Sequence, residues 1–250
     1  MKRQIALGAL ICCALFASVS SAALVRIGDL VLTADGGFTP LRLPRDHFAP
    51  IDFKGHADLR TVDGAVPAPL QKLVLDFDRD GRLSVAGLPS CDPARLVEAT
   101  PEEARERCRG AIVGNGHVNV EIAREGAPPL PASSPITLFN GPRLNGSPTV
   151  ILHARTTEPA TQTFVIEIPI EKRPGQYRYR ATIEIPPILG GRGSIVHLDA
   201  TVGRRYRYRG RQRSYVSARC RDGVFRTRGR FTFGDGTIID GSVEKGCQAR

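Results

Sequence analysis

The sequence lacks the short motifs that mark most enzymes and metal centres. Its histidines, His47, His56, His117, His153 and His197, are scattered, with no HExxH and no paired spacing, which excludes a zincin-type centre. His153 and His197 fall on the polar phase of alternating segments, where a surface histidine is the ordinary case. No G-x-S-x-G elbow precedes a helix, so the common serine-hydrolase arrangement is absent. Gly190–Ser194 is glycine-rich but has no Walker lysine and no following helix, and it reads as a turn between strands. Neither Cys-x-x-Cys spacing nor a nearby histidine cluster argues for zinc. No cofactor is implied. Carboxylate pairs of the glycosidase kind meet only in space, so an extracytoplasmic hydrolase stays as an alternative to a non-catalytic protein. Tryptophan is absent, methionine occurs once, and arginine far outnumbers lysine. With abundant Ala, Gly and Pro, that bias fits a GC-rich coding sequence, which raises arginine content without selection for a ligand.

What is present begins with residues 1–22, which have the form of a secretory signal peptide. Lys2 and Arg3 supply the positive start, Ile5 to Ala17 form an apolar stretch too short to span a bilayer, and Ser20 and Ala22 are placed for signal peptidase. The expected mature chain, residues 23–250, is a secreted single domain of the cell envelope or extracellular space, with no transmembrane helix. Cys12 and Cys13 would leave with the leader, and neither is preceded by the small residue that lipidation needs. Cys91, Cys108, Cys220 and Cys247 remain, and in an oxidising compartment they suggest two disulfides. Local pairing, Cys91 to Cys108 and Cys220 to Cys247, closes the shortest loops. The second pair has a geometric difficulty. A two-residue turn at Asp235-Gly236 sets Val224 opposite Cys247, so Cys220 reaches it only if the chain folds back through Arg221-Asp222-Gly223.

Alternation with a period of two dominates the chain, as in half-buried antiparallel strands. Phe164, Ile166, Ile168 and Ile170 share a face, as do Tyr179, Ala181, Ile183 and Ile185, and Val196, Leu198, Ala200 and Val202. Phe225, Phe231 and Phe233 oppose Arg226, Arg228 and Arg230. Asp78–Gly81, Arg209–Gln212 and Gly234–Gly236 read as hairpin turns. Residues 127–135, with four prolines, read as a connector. One helical excursion is expected near 101–109, opened by the capping box Thr100-Pro101-Glu102-Glu103. The expected fold is all-β: an antiparallel β-sandwich of two packed sheets with that single short helix.

Two stretches are candidate sites. Asp76, Asp78 and Asp80 alternate ahead of Gly81, like the first part of a calcium loop, which would suit a calcium-dependent adhesion module. The pattern then fails, because Gly87 stands where a bidentate Glu belongs, and the flanks are strand-like; a hairpin with Asp in its turn explains the residues as well. The second stretch is basic: Arg205, Arg207 and Arg209, then Arg226, Arg228 and Arg230. Removing Lys2 and Arg3 from 35 basic residues leaves 33 against 25 acidic, a charge of +8 that favours an anionic cell-envelope polymer as partner. Nucleic acid is not expected. Alternation places Tyr206 and Tyr208 on the opposite face from the arginines, so base stacking and phosphate contact would not share a surface.

Gly87-Leu88-Pro89-Ser90-Cys91, Cys108 to Gly114, Leu138-Phe139-Asn140-Gly141, Ser214 to Cys220 and Phe233 to Thr237, in that order and spacing, resemble an uncharacterised family of secreted, disulfide-containing all-β bacterial proteins. The resemblance implies a signal peptide, a β-rich fold and paired cysteines, and it carries over no functional residues.

Overall fold

A computed structural model describes residues 22–250, so the expected leader lies outside the described residues apart from Ala22. In chain order the strands open with β1 (Ala23–Ile27), β2 (Leu30–Thr39), β3 (Arg42–Leu43), β4 (Ala49–Pro50), β5 (Asp52–Thr61), β6 (Leu70–Asp78) and β7 (Gly81–Leu83). After the helix α1 (Pro101–Arg107) come β8 (Ile112–Arg124), β9 (Ala127–Leu144), β10 (Ser147–Thr156), β11 (Gln162–Lys172), β12 (Tyr177–Glu184) and β13 (Gly193–Val202). The chain ends with β14 (Arg205–Tyr208), β15 (Arg211–Ser214), β16 (Val216–Ala218), β17 (Val224–Phe233), β18 (Ile238–Gly246) and β19 (Gln248–Ala249).

The all-β expectation holds, but the sandwich does not describe the sheet. Twelve strands form one continuous antiparallel ladder in the order β1-β2-β5-β13-β8-β9-β10-β11-β12-β6-β17-β18, curled into a nearly closed barrel. β11 is the corner: Gln162–Pro169 pairs with β10, and Ile170–Lys172 pairs with β12. The other end of the ladder returns on itself. A Cβ at Gly241 of β18 would stand 3.7 Å from the Ala23 Cβ and 3.8 Å from Val25 Cγ2, both of β1. Alternation then sorts the side chains by wall. Leu32, Leu59, Leu73, Ile122, Ile195 and Phe231 point inward into one core, while Asp76, Arg180, Arg228 and Asp240 stand outside. An apolar interior and a charged exterior invert the pattern of a membrane-spanning barrel. Among the described residues, no helix is long and apolar enough to cross a membrane.

The proline-rich connector is in fact the first half of β9. Its residues pair with β8 from Arg124↔Ala127 to His117↔Pro135, while the ladder to β10 starts only at Ile136↔Ala154. Pro129, Pro131 and Pro135 fall on one parity of the strand. Their missing N–H groups therefore share a side and can all face away from β8, which is how prolines enter a strand that is an edge there. The turn Asp78–Gly81 is not a hairpin either, because β7 leaves the barrel and pairs with β16. The turns at Arg209-Gly210 and Gly234–Gly236 do close hairpins.

The helical excursion forms as its capping box dictates. Glu103 N–H donates to Thr100 Oγ1 at 3.2 Å, and Thr100 N–H donates to Glu103 Oε2 at 2.8 Å. Both disulfides take the local pairing. Cys91–Cys108 lies with Leu96, Ala99, Ala104 and Ala111 in a small core that packs on Phe139 and Ile151 of the outer barrel wall. This cover corrects the placing of His153 at the surface: it is fully buried, with Nε2–H donating to the Ala99 carbonyl at 3.1 Å. Burial disfavours its charged form and lowers its pKa. For the second disulfide, Gly223 at φ +85 turns the chain back, and Cys247 N–H donates to the Gly223 carbonyl. The hairpin register differs by one residue from that expected, with Val224 opposite Gly246.

Candidate functional site

The barrel is wide, and many of its inward positions are small. Eight strands give an interior that side chains can just fill, and additional strands leave room unless large residues compensate. Here the inward row at mid-height runs Gly36, Gly55 and Ala200 across β2, β5 and β13 in direct register. Ala34, Ala57, Ala181, Gly229 and Gly241 are also small and line the same space. The result is an internal cavity of about 300 Å³, walled by aliphatic and aromatic side chains such as Phe53, Leu75, Phe77, Val150 and Ile168. A second cavity of about 90 Å³ lies under Ile188 and Leu189. The two share Leu73, Ile136, Leu152, Ile183 and Leu198 in their walls, so they are successive chambers separated by an aliphatic waist.

One end of the larger chamber is plugged by the three-stranded sheet β4-β16-β7. The plug packs Phe38, Leu43, Ile51, Ala218 and Phe225 around the Cys220–Cys247 bridge. Tyr215, immediately before β16, forms part of the chamber wall at this plug and packs against Val113, Ile136, Leu138 and Ala154. Its backbone is held by Tyr215 N–H to Arg204 O at 2.8 Å and by Ser84 N–H to Tyr215 O at 2.9 Å. Its side chain is fully buried, and its hydroxyl has no hydrogen-bond partner among the described residues. Charge appears only at the chamber's margin. Arg82 is exposed with its guanidinium over the Phe48 ring, and Asp35 stands opposite exposed His56 on the outward phase of the wall.

The residues singled out in the sequence lie elsewhere. Asp76 and Asp78 share the outer face of β6, and arginines or backbone amides engage all three carboxylates of the aspartate loop. Asp76 accepts from Arg180 Nε and Nη2 at 2.7 and 2.9 Å and from Arg228 Nη2 at 2.6 Å. The Arg180 hydrogen bonds hold its pKa below the usual carboxylate value. Asp80 accepts from Arg219 and Arg221 at 2.9 and 2.8 Å. Asp78 accepts the backbone N–H of Asp80 and of Arg226, and its burial raises its pKa. Oxygens that a calcium ion would need thus already face guanidinium and amide donors. Among the described residues, no group of three or more His, Cys, Asp or Glu is arranged to hold a metal ion.

The six arginines divide into two sets. Arg226, Arg228 and Arg230 on β17 are consumed by ion pairs with Asp222 and Glu244, with Asp76, and with Asp240. Arg205 lies 3.6 Å from Asp52, while Arg207 and Arg209 stand exposed on the β14–β15 hairpin. Tyr206 faces the other way and donates to the Ala86 carbonyl at 3.0 Å, whereas Tyr208 packs over Gly87 and also carries the Arg209 guanidinium 5.3 Å from its ring centroid. His197 is bracketed by Asp58 at 2.7 Å and Asp199 at 3.4 Å on the outer wall, and the Asp58 hydrogen bond raises its pKa.

Neither the chamber nor Tyr215 was found from the sequence. The available signal was a set of Gly and Ala residues at core-phase positions of several strands, which locally reads only as weak strand propensity. Comparison with protein-family models, with curated proteins and with solved structures finds no match for this chain.

Proposed function

We propose that this protein is a non-catalytic binding protein of the cell envelope that holds an apolar ligand inside its barrel. The observation that carries the reading is the chamber of about 300 Å³, in the size range of small-molecule sites and about twice that of an engineered protein cavity that takes up benzene. The leader-like residues 1–22 and the paired cysteines support the extracytoplasmic address. The hydrolase alternative would need two carboxylates at the site, and Asp35 is the one carboxylate among the residues lining either chamber. Calcium-dependent adhesion would need Asp76, Asp78 and Asp80 released from their arginine and amide donors.

The test is displacement of a fluorescent naphthylamine dye, with Ala57→Leu and Ala181→Leu as chamber-filling variants. Both alanines are buried and point inward. The filled variants are expected to bind dye at least about tenfold more weakly and to melt no lower than the parent, because the added methylenes occupy existing space. Dye binding that is indifferent to filling would sink the reading.

A second reading rests on the β14–β15 hairpin, where Arg207, Arg211 and Arg213 are exposed and no carboxylate pairs with them among the described residues. This surface suits an anionic envelope polymer. Retention on an immobilised wall polymer near physiological salt, lost when the three arginines become serine, would support it.

A further inference from the structure

We infer that the larger chamber is entered sideways, through the seam between β2 and β18, with the Lys245 side chain as the strap that closes it. This rests on the proposed binding function and assigns the route by which a ligand of that chamber comes and goes.

Both ends of the chamber are closed. The plug β4-β16-β7 is fastened by the Cys220–Cys247 bridge and by Phe38, Leu43, Ile51 and Phe225 around it. At the other end stand Leu73, Ile136, Leu152, Ile183 and Leu198, which also wall the smaller cavity. A passage therefore has to cross the wall. Hydrogen-bonded ladders resist that, since parting two paired strands leaves their N–H and C=O groups without partners.

Two breaks interrupt the ladders among the described residues. One is the corner at β11, where residues 182–184 of β12 pair with β6 but not with β11. Phe164, Ile166, Ile183 and Ile185 line the smaller cavity there. The other break is the seam. β1 accompanies β2 only from Leu30 to Ala34. Just beyond, the Gly36 N–H donates to Asp35 Oδ1 at 2.8 Å instead of to a strand. Ala23, Gly36, Gly241 and Val243 all line the larger chamber, so the seam is one residue thick where it meets that space. Opening it breaks no ladder between β1 and β18.

Lys245 covers the upper part of the seam. A Cβ at Gly37 would lie 3.1, 3.3 and 3.4 Å from its Cε, Cδ and Cγ, so its methylenes run along bare backbone of β2. The stem of a lysine seals apolar surface when it lies down, and its many rotamers let it swing aside.

The lock follows from the same geometry. A Cβ at Gly241 would stand 3.7 Å from the Ala23 Cβ, close to the mean of about 3.8 Å across a disulfide. Release of bound naphthylamine dye is followed by stopped flow in the parent and in Ala23→Cys/Gly241→Cys, its cross-link verified by loss of free thiol. Ala23→Ser/Gly241→Ser is the unlinked control. The linked protein should release dye at least about tenfold more slowly than the control, at an equilibrium affinity within about twofold of it. Lys245→Ala should release dye at least about threefold faster than the parent. It needs no cross-link and decides alone if none forms. Release from the linked protein as fast as from the control would place entry at the β11 corner and overturn the inference, as would unaltered release from Lys245→Ala. Either outcome leaves the binding function standing. A parent that binds no dye, or dye binding that ignores chamber filling, defeats the binding function and the inference with it.

Discussion

Asp76 shows how one residue type can imitate a metal ligand in sequence and serve the wall in the structure. It stands between Arg180 and Arg228 on neighbouring strands, directly opposite both in register. Its side chain is 5% exposed, whereas Arg180 and Arg228 keep 31% and 49% exposure. The carboxylate is thus the desolvated member, and removing its charge leaves two guanidinium groups close together. Asp76→Asn is expected to cost about 2 kcal/mol, below the range for a fully buried pair because the arginines are partly solvated. The pH dependence has a definite sign. The folded-state pKa of Asp76 is lowered, so its contribution is present above the unfolded carboxylate value and is lost as pH falls through the folded one. Asp78 acts in the opposite direction, since burial raises its pKa and its charged form weighs against the fold at neutral pH. The acid limb of a stability profile for Asp76→Asn should therefore be shallower than that of the parent. A parallel displacement of the two curves would show that Asp76 contributes only packing.

At the scale of elements, what is local in the chain could be seen in the sequence and what is contributed by distant segments could not. The capping box at Thr100, the hairpin at Arg209-Gly210 and the period-two faces of β11, β12 and β17 are set by neighbours within a few residues. The insertion of β13 between β5 and β8, and of β6 between β12 and β17, is set by pairings across the whole chain, and these convert a supposed sandwich into a barrel. His153 is the instructive case. Alternation correctly assigns it to the outer wall, yet the segment from Cys91 to Ala111 covers that part of the wall. The chamber escaped notice for a related reason: small residues mark a space only once twelve strands surround it. The covering segment can be tested as a unit. Replacing Cys91 and Cys108 with serine opens a loop of 17-residue separation, with an expected cost of about 3 kcal/mol. As the cover loosens, the His153 pKa should rise toward the ordinary histidine value, which NMR titration of its ring protons would report. Loss of stability with an unmoved His153 would mean that the cover stays docked without its bridge.

For the whole molecule, the manner of closure decides where the barrel is weakest. No hydrogen-bonded ladder joins β1 to β18 among the described residues. The seam is instead made of side chains: Ala23 and Val25 against Gly241, and the methylenes of Lys245 over Gly37 of β2. Among the described residues β1 is five residues long and paired on one side only, with β2, whereas β8 is paired on both sides over most of its length and β9 over Ile136–Phe139. Free energy of local opening follows such pairing, because an edge strand can leave without breaking the ladders behind it. Native-state hydrogen exchange should therefore be graded around the barrel. Amides of β1 should exchange about a hundredfold faster than those of β8 and of Ile136–Phe139 in β9, with the isolated β14–β15 hairpin as fast as β1. The chamber adds a condition to this order. The plug closes one end and the Ile188–Leu189 segment covers the other, so a ligand that contacts β2, β17 and β18 from inside should slow exchange along the seam more than in β8. Equal protection around the ring, before and after ligand, would mean that the seam is as firm as the ladders and that opening takes the barrel as one unit.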